Sequence, residues 1–383
     1  MPDNPLLNAL AHDQDAMLKA LEALVVRESP SRDKPSLDAL ADFLQARFGA
    51  LGLAVQRLPN PVGGDHLKLG LDGDGDGDEA RPAALVLCHF DTVWPLGTLE
   101  QMPFRVEKGR AHGPGAYDMK ASLVLCEFAL RALRSVGQAP PRPVVFLFTS
   151  DEEIGSPTSR RLIEDEARRS AFALVLEPPL AGDRLKTARK GVGRFTLEIT
   201  GKAAHAGVEP EKGVNALIEL AHQIFAINAI ADPAAGTTLN VGVARGGTTS
   251  NVVPAGATVE IDARASTRDE ARRVEDALSS LRPVLPGARL SVAGGFNRPP
   301  MERSPQTAAL FQRAREIGRT LGFDLGEGAT GGGSDGNFTA ALGLPTLDGL
   351  GASGAGAHSE SEHIHINALT SRAALLAALL LSL

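Results

Sequence analysis

The chain has 383 residues, more than one hydrophobic core usually serves, so two domains are expected. Hydrophobic residues make up 43% and charged residues 22%, as in ordinary globular proteins, and a net charge of −7 without a long basic run argues against nucleic acid as a partner. No apolar stretch reaches transmembrane length, no basic-then-apolar leader opens the chain, and Cys88 and Cys126 are its only cysteines, which predicts a cytoplasmic setting with no membrane partner and no disulfide framework.

In chain order, MPDNPLLNALAHDQDAMLKALEALVV reads as one capped amphipathic helix, with apolar Met17, Leu18, Leu21, Leu24 and Val25. Residues 1–52 then hold two helices. Strand-like runs follow at 53–58, 66–71 and 83–88. The acidic run DGDGDGDE at 72–79 lacks the twelfth-position Glu of an EF-hand loop, because counting from Asp72 ends on Ala83. It reads as a loop between two strands. A helix at about 119–136 leads to the strand VVFLFTS, another helix and the strand FALVLE. Strands alternating with helices predict an α/β fold with a mixed or mostly parallel sheet and helices on both faces.

From Gly191 the pattern changes. GRFTLEITG, TTLNVGVARG, ATVEIDARA and ARLSVAGG read as strands, and GVNALIELAHQIFAINAI and TRDEARRVEDALSSLRPV as helices. The order β-α-β-β-α-β is that of a ferredoxin-like α+β unit. The earlier pattern resumes near Met301 with a helix at about 305–321, and AALLAALLLSL reads as a buried final helix. The expected domains are 1–189 with 301–383, and 190–300 as an insertion.

Five segments put polar residues where an apolar strand or tight loop ends, the usual place for ligands in open α/β sheets. LVLCHFDTVWP sets His89 two residues before Asp91, a carboxylate able to fix an imidazole tautomer, although a plain polar strand end reads the same way. Alternation turns Cys88 away from His89. AHGPGAYDMKAS delivers Asp118 to the start of a helix, where it suits an N-cap as well as a ligand. VVFLFTSDEEIGS ends in Asp151, Glu152 and Glu153, which suit bound cations or a solvated helix start. Glu177 ends LVLEPP. His358 sits in GAGAHSESEHIHI, where His363 and His365 take a structural reading in a short extended segment. Two histidines and three carboxylates at such positions suit a pair of zinc ions.

On PFRVEKGRAHGPGAYD, GKAAHAGVEPEKGVNALIEL, SNVVPAGATVEIDAR and ATGGGSD, the chain resembles a zinc metallopeptidase family. That family holds glutamate carboxypeptidase (carboxypeptidase G), acetylornithine deacetylase and succinyl-diaminopimelate desuccinylase. The likeness covers nearly the whole chain and is strongest to the glutamate carboxypeptidase branch. It implies a zinc-exopeptidase-like catalytic domain, an inserted lid and dimerisation domain, and two zinc ions per subunit. His89, Asp118 and Glu177 would bind one zinc, and Asp118, Glu153 and His358 the other, with Asp118 bridging. Glu152 would be the general base, Asp91 the partner of His89, and the peptide after Asp118 would be cis. His205, by its own sequence a loop histidine, would reach the active site of the partner subunit and polarise the scissile carbonyl. Asn251 and Arg264 would contact the substrate. Arg184, Arg298 and Thr330 would hold the departing amino acid.

Two departures stand out: the stretch around Arg184 is one residue shorter than in those enzymes, and Ile154 replaces a polar residue often found there. The implied activity is removal of a C-terminal amino acid, glutamate first, from an N-acyl, peptidyl or folate-like substrate with a free carboxylate, by a homodimer. N-acyl amino acid deacylation or dipeptide cleavage by the same metal centre is the alternative. A non-catalytic metal-binding relative is a further one, and the presence of Glu152 beside all five ligands argues against it.

Overall fold

The computed structural model describes residues 4–73 and 81–383, so most of the acidic run at 72–79 lies outside the described residues. The chain divides into two compact units. The first takes in the chain up to Thr187, then Arg303–Ala329 and Ser334–Leu383; the second takes Ala188–Glu302 with Thr330–Gly333.

The first unit opens with three helices, α1 (Pro5–Leu10), α2 (Gln14–Val25) and α3 (Lys34–Gly49), one more than the apolar spacing predicts. The side chain of Asn4 accepts from the amides of Leu6 and Leu7, and Pro5 takes the first helical position. A separate short helix therefore starts ahead of α2 and buries Leu6 and Leu10.

Five strands of the main sheet follow: β1 (Ala54–Leu58), β2 (His66–Leu71), β3 (Ala83–His89), β4 (Val144–Thr149) and β5 (Ser170–Val175). With the short strand Thr346–Leu347 they form one sheet, in the order β1-β2-β4-β3-β5 and then Thr346–Leu347. The pairs β1–β2 and β2–β4 are antiparallel and the other three are parallel, so the sheet is mixed and mostly parallel, as the sequence predicts. Side chains of β3 alternate between two cores. Ala84, Val86 and Cys88 face the core built with α2, α3 and α4 (Ala121–Ser135). Leu85 and Leu87 face Ile163 and Ala167 of α5 (Arg160–Ala167). Cys88 and Cys126 are free thiols whose Sγ atoms lie 3.7 Å apart in the first of these cores.

In the second unit β6 (Gly191–Thr200), α6 (Ala216–Ile230), β7 (Thr238–Gly246), β8 (Gly256–Ala265), α7 (Arg268–Ser279) and β9 (Arg289–Arg298) follow in turn. The four strands form an antiparallel sheet in the order β7-β8-β6-β9, the ferredoxin-like arrangement. Alternate residues Val259, Ile261 and Ala263 of β8 are buried against α6 and α7, with Leu220, Ile227, Val274 and Leu278 completing the core. The two ends of this segment meet. Arg189 N donates to Met301 O and Met301 N to Arg189 O, each at 3.0 Å.

The chain returns to the first unit with α8 (Pro305–Thr320), α9 (Gly336–Ala341) and α10 (Leu369–Ser382). Leu375, Leu376, Leu379 and Leu380 of α10 are buried in the core shared with α4. Among the described residues no helix is long and apolar enough to cross a membrane.

Candidate metal centre

β3 runs buried to its last residue, His89, on the opposite face from Cys88. His89 Nδ1 lies 3.0 Å from the backbone oxygen of Asp91 and 3.4 Å from its Oδ1. Both neighbours are acceptors, so in the neutral ring Nδ1 carries the proton and Nε2 is the ligating atom. Nε2 faces Asp118 Oδ1 at 3.2 Å and Glu177 Oε1 at 3.6 Å. Asp91 is itself fully buried. It accepts from Ser31 Oγ at 2.7 Å and from the amides of Glu152 and Glu153 at 3.1 and 3.2 Å, which ties the end of β3 to the turn after β4.

Asp118 arrives on the turn HGPGAYD, just ahead of α4. Gly115 has φ 70°, and a Cβ there would come within 2.4 Å of Thr92 Cγ2, so the turn requires glycine. The peptide after Asp118 is cis. The position before α4 is held by Lys120, and the carboxylate of Asp118 faces two histidines instead of capping the helix. Its Oδ2 lies 3.3 Å from His358 Nε2.

The three acids after β4 separate. Asp151 accepts from the amides and hydroxyls of both Thr158 and Ser159 at 2.5–3.2 Å, and so anchors the approach to α5. Glu153 Oε1 lies 3.1 Å from His358 Nε2. Glu152 joins His89 and Glu177 in a group whose ligand atoms all lie within 4.8 Å of one another, and His89, Asp118 and Glu153 form a second such group. His358 itself sits in a left-handed backbone conformation, φ 60°, with its side chain 49% exposed against 2% for His89.

The carboxylates set the charge of the histidines. Burial opposes a charge on His89, but hydrogen bonds to Asp118 and Asp91 outweigh it and hold its pKa well above the ordinary value. His358, bonded to Asp118 and Glu153, is pushed up to about 10. Burial would raise Asp118, yet the two histidines hold it well below the usual carboxylate range. Glu153 is raised, first by burial and also by the neighbouring charge of Asp118. The donor chemistry fits a pair of divalent cations: two imidazoles and four carboxylates converge, and crowded carboxylates need positive charge between them. No thiolate takes part, since Cys88 faces the core.

The second unit carries most of the other expected residues. His205 is exposed; its Nδ1 accepts from Gly207 N at 3.2 Å, and its backbone is bridged to Val252. Asn251 is its neighbour, accepting from Ala206 N at 2.9 Å. Arg264, Arg298 and Thr330 gather elsewhere in this unit. Arg264 pairs with both oxygens of Asp262 at 2.7 and 2.8 Å and reaches Gly331 O at 3.3 Å. Arg298 is buried, and its Cδ would lie 2.7 Å from a Cβ added at Gly333. Thr330 O accepts from Lys190 N at 3.0 Å. Arg184 lies in the first unit, exposed, with Nε donating to Ala181 O at 3.2 Å. The structure thus joins His89, Asp91, Asp118, Glu152, Glu153, Glu177 and His358 in one cluster. It pairs His205 with Asn251 and groups Arg264, Arg298 and Thr330, while Arg184 stands against Gly326 and Gly328 in the first unit.

Three contributors escape a reading of the sequence. Ser31 bonds Asp91 across 60 residues of chain, and no local motif marks it. Arg189 donates to the carbonyls of Gly332 and Gly333 at 3.2 and 3.0 Å and steadies the glycine-rich segment beside Arg298. Glu362 was visible as an acid four residues after His358, but its neighbour Glu360 is exposed while Glu362 is fully buried.

Comparison with known proteins gives the family. A model of peptidase family M20/M25/M40 matches residues 85–382. Carboxypeptidase G2 of Pseudomonas sp. is 34% identical over an alignment covering 100% of this chain and 92% of that protein. Succinyl-diaminopimelate desuccinylase of Delftia acidovorans is 30% identical, over 87% of this chain and 88% of that one. The crystal structure of aminopeptidase PepT from Bacillus cereus shares the fold, with a TM-score of 0.79 at 23% identity, over 96% of this chain and 98% of that one. The family match runs through every side chain of the cluster from His89 to His358, and the chain belongs to peptidase family M20/M25/M40, as a hydrolase of the metallopeptidase kind.

Proposed function

We propose that this hydrolase is a two-zinc carboxypeptidase that removes a C-terminal amino acid, glutamate by preference, from an N-acyl, peptidyl or folate-like substrate. The observation that carries the reading is the sharing of Asp118. Its Oδ1 faces His89, with Glu177 beyond, and its Oδ2 faces His358, with Glu153 beyond. His89, Asp118 and Glu177 would hold one zinc, and Asp118, Glu153 and His358 the other. Zinc bound there supplies Lewis-acid polarisation and a water of lowered pKa.

The chain's own residues do the rest. Glu152, its amide fixed by Asp91, takes the proton of the attacking water at its carboxylate and returns it to the leaving nitrogen. His205 donates to the carbonyl oxygen as negative charge develops there. Arg298, with Arg184 and Thr330, pairs with the carboxylates of the departing glutamate, a task suited to planar guanidinium groups. Asn251 and Arg264 contact the rest of the substrate, and residues 190–300 act as lid and dimerisation domain.

The second unit supports a homodimer. His205 and Asn251 lie beyond the Gly256 end of β8, while Arg264 lies near its other end. The eight steps from Gly256 to Arg264 span about 27 Å at about 3.4 Å each. One copy of this sheet offers both ends to a single scissile bond only with difficulty, whereas two copies, each lending His205 to its partner, meet the need without distortion.

The test is hydrolysis of N-acyl amino acids by the zinc-loaded chain, varying the amino acid first and the acyl group second. Fastest release of glutamate supports the proposal. Faster removal of a succinyl or acetyl group from an amine-bearing substrate favours the deacylase reading, to which the likeness to a desuccinylase lends weight.

A further inference from the structure

Glu362 is a fully buried carboxylate whose hydrogen bonds run mostly to one turn. Its Oε1 accepts from the amides of Tyr117 and Asp118, at 2.9 and 3.0 Å. Its Oε2 accepts from the amide of Gly115 at 3.0 Å and from Trp94 Nε1 at 2.8 Å. Three amides of the turn that ends on Asp118 therefore converge on one side chain. Glu362 also lies four residues after His358, at the close of a tight segment in which Glu362 N donates to Ser359 O and Ser359 N to Gly356 O, each at 2.9 Å. One carboxylate thus links the turn bearing Asp118 to the turn bearing His358. Those are the two side chains that meet at 3.3 Å.

We propose that Glu362 is a positioning residue for the metal centre, which sets the place of Asp118 relative to His358 by gripping the backbone of the turn before it. This rests on the reading of Asp118 as a shared metal ligand. Helix propensity or packing alone does not explain a carboxylate here. A buried charge is expensive unless its acceptors are saturated, and four N–H donors do that. The turn gains in exchange a fixed backbone at the residue whose two oxygens must serve two sites. Glutamine has the same shape but cannot substitute. Its single oxygen satisfies two of the four donors, and its NH₂ group then faces the other two, donor against donor.

The full-length chain tests this with Glu362→Gln and Trp94→Phe. Zinc affinity is measured by competition with a chromophoric chelator, the visible spectrum is recorded after cobalt substitution, and melting is followed by circular dichroism. Loss of a partner that orients a metal ligand typically weakens binding about 10- to 100-fold. Glu362→Gln should do so and should shift the cobalt bands, while Trp94→Phe, which removes one donor of four, should shift both in the same direction by less. If folded Glu362→Gln has a lower melting temperature but native zinc affinity and cobalt bands, Glu362 is only structural and the proposal is overturned. If Glu362→Gln does not fold, Trp94→Phe decides: native zinc affinity overturns the proposal and weakened affinity supports it. Failure of the unmodified chain to bind zinc at all would instead remove the proposed metal centre itself.

Discussion

His205 and Arg264 belong to the same small sheet domain but stand toward opposite ends of strand β8, of which about 27 Å of extended chain separates Gly256 from Arg264. On the proposed reading a site built from both would draw on two subunits, and a C₂ dimer would carry two such sites. His205→Ala and Glu152→Gln should each be nearly inactive with unchanged metal content. In their heterodimer one site combines an intact Glu152 with an intact His205, and the other carries both defects. Activity should return when the two dead proteins exchange subunits. A mixture that stays inactive under proven exchange, or an active monomer, would require another role for His205.

Glu152→Gln keeps the shape of a side chain whose backbone amide is held by Asp91. The fold and the metal content should survive, and turnover should fall about 10²–10⁴-fold, the usual effect of losing a general base. Single-turnover rates with metal analysis on the same sample check this. Near-normal turnover would move the role to a different group.

Chelation should abolish activity, and zinc or cobalt should restore it, because the ligand atoms form two groups that share His89 and are joined through Asp118 and Glu153 to His358. Metal analysis at saturating zinc should give two ions per chain. Full activity with a single ion would remove the two-metal proposal.

Arg298→Ala should weaken glutamate-releasing substrates most and leave poor substrates nearly untouched. Arg298 is buried beside Gly333, and its neighbour Arg189 is engaged with the same glycine segment. The ratio of kcat/KM for glutamate to that for an aliphatic leaving residue is the readout. A ratio unchanged by the substitution would show that Arg298 does not read the leaving group.

What the sequence discloses follows from the range of each interaction. Strand β3 is legible because alternation over VLCH is local, and His89 is legible because it stands where the apolar run stops. The separate helix α1 is not, because Asn4 and Pro5 reset the helix start without breaking the apolar spacing. The acids Asp151, Glu152 and Glu153 look alike in the sequence. The family resemblance sets Glu153 beside His358, and the fold places it there, but only folding assigns Asp151 to Thr158 and Ser159. Glu362 lies 244 to 268 residues from its donors, a separation at which spacing says nothing about contact.

The pairing of Arg189 with Met301 has a bearing on how such a chain can change. Because the segment 190–300 begins and ends at one antiparallel contact, it adds to the chain as a hairpin connection would. Lengthening such a connection carries little penalty, about 0.6 kcal/mol per doubling in a flexible loop. The module between those two residues is thus graftable. A relative's version spliced in at Arg189 and Met301 should bring its own choice of leaving group, while β3, β4 and their acids keep their register.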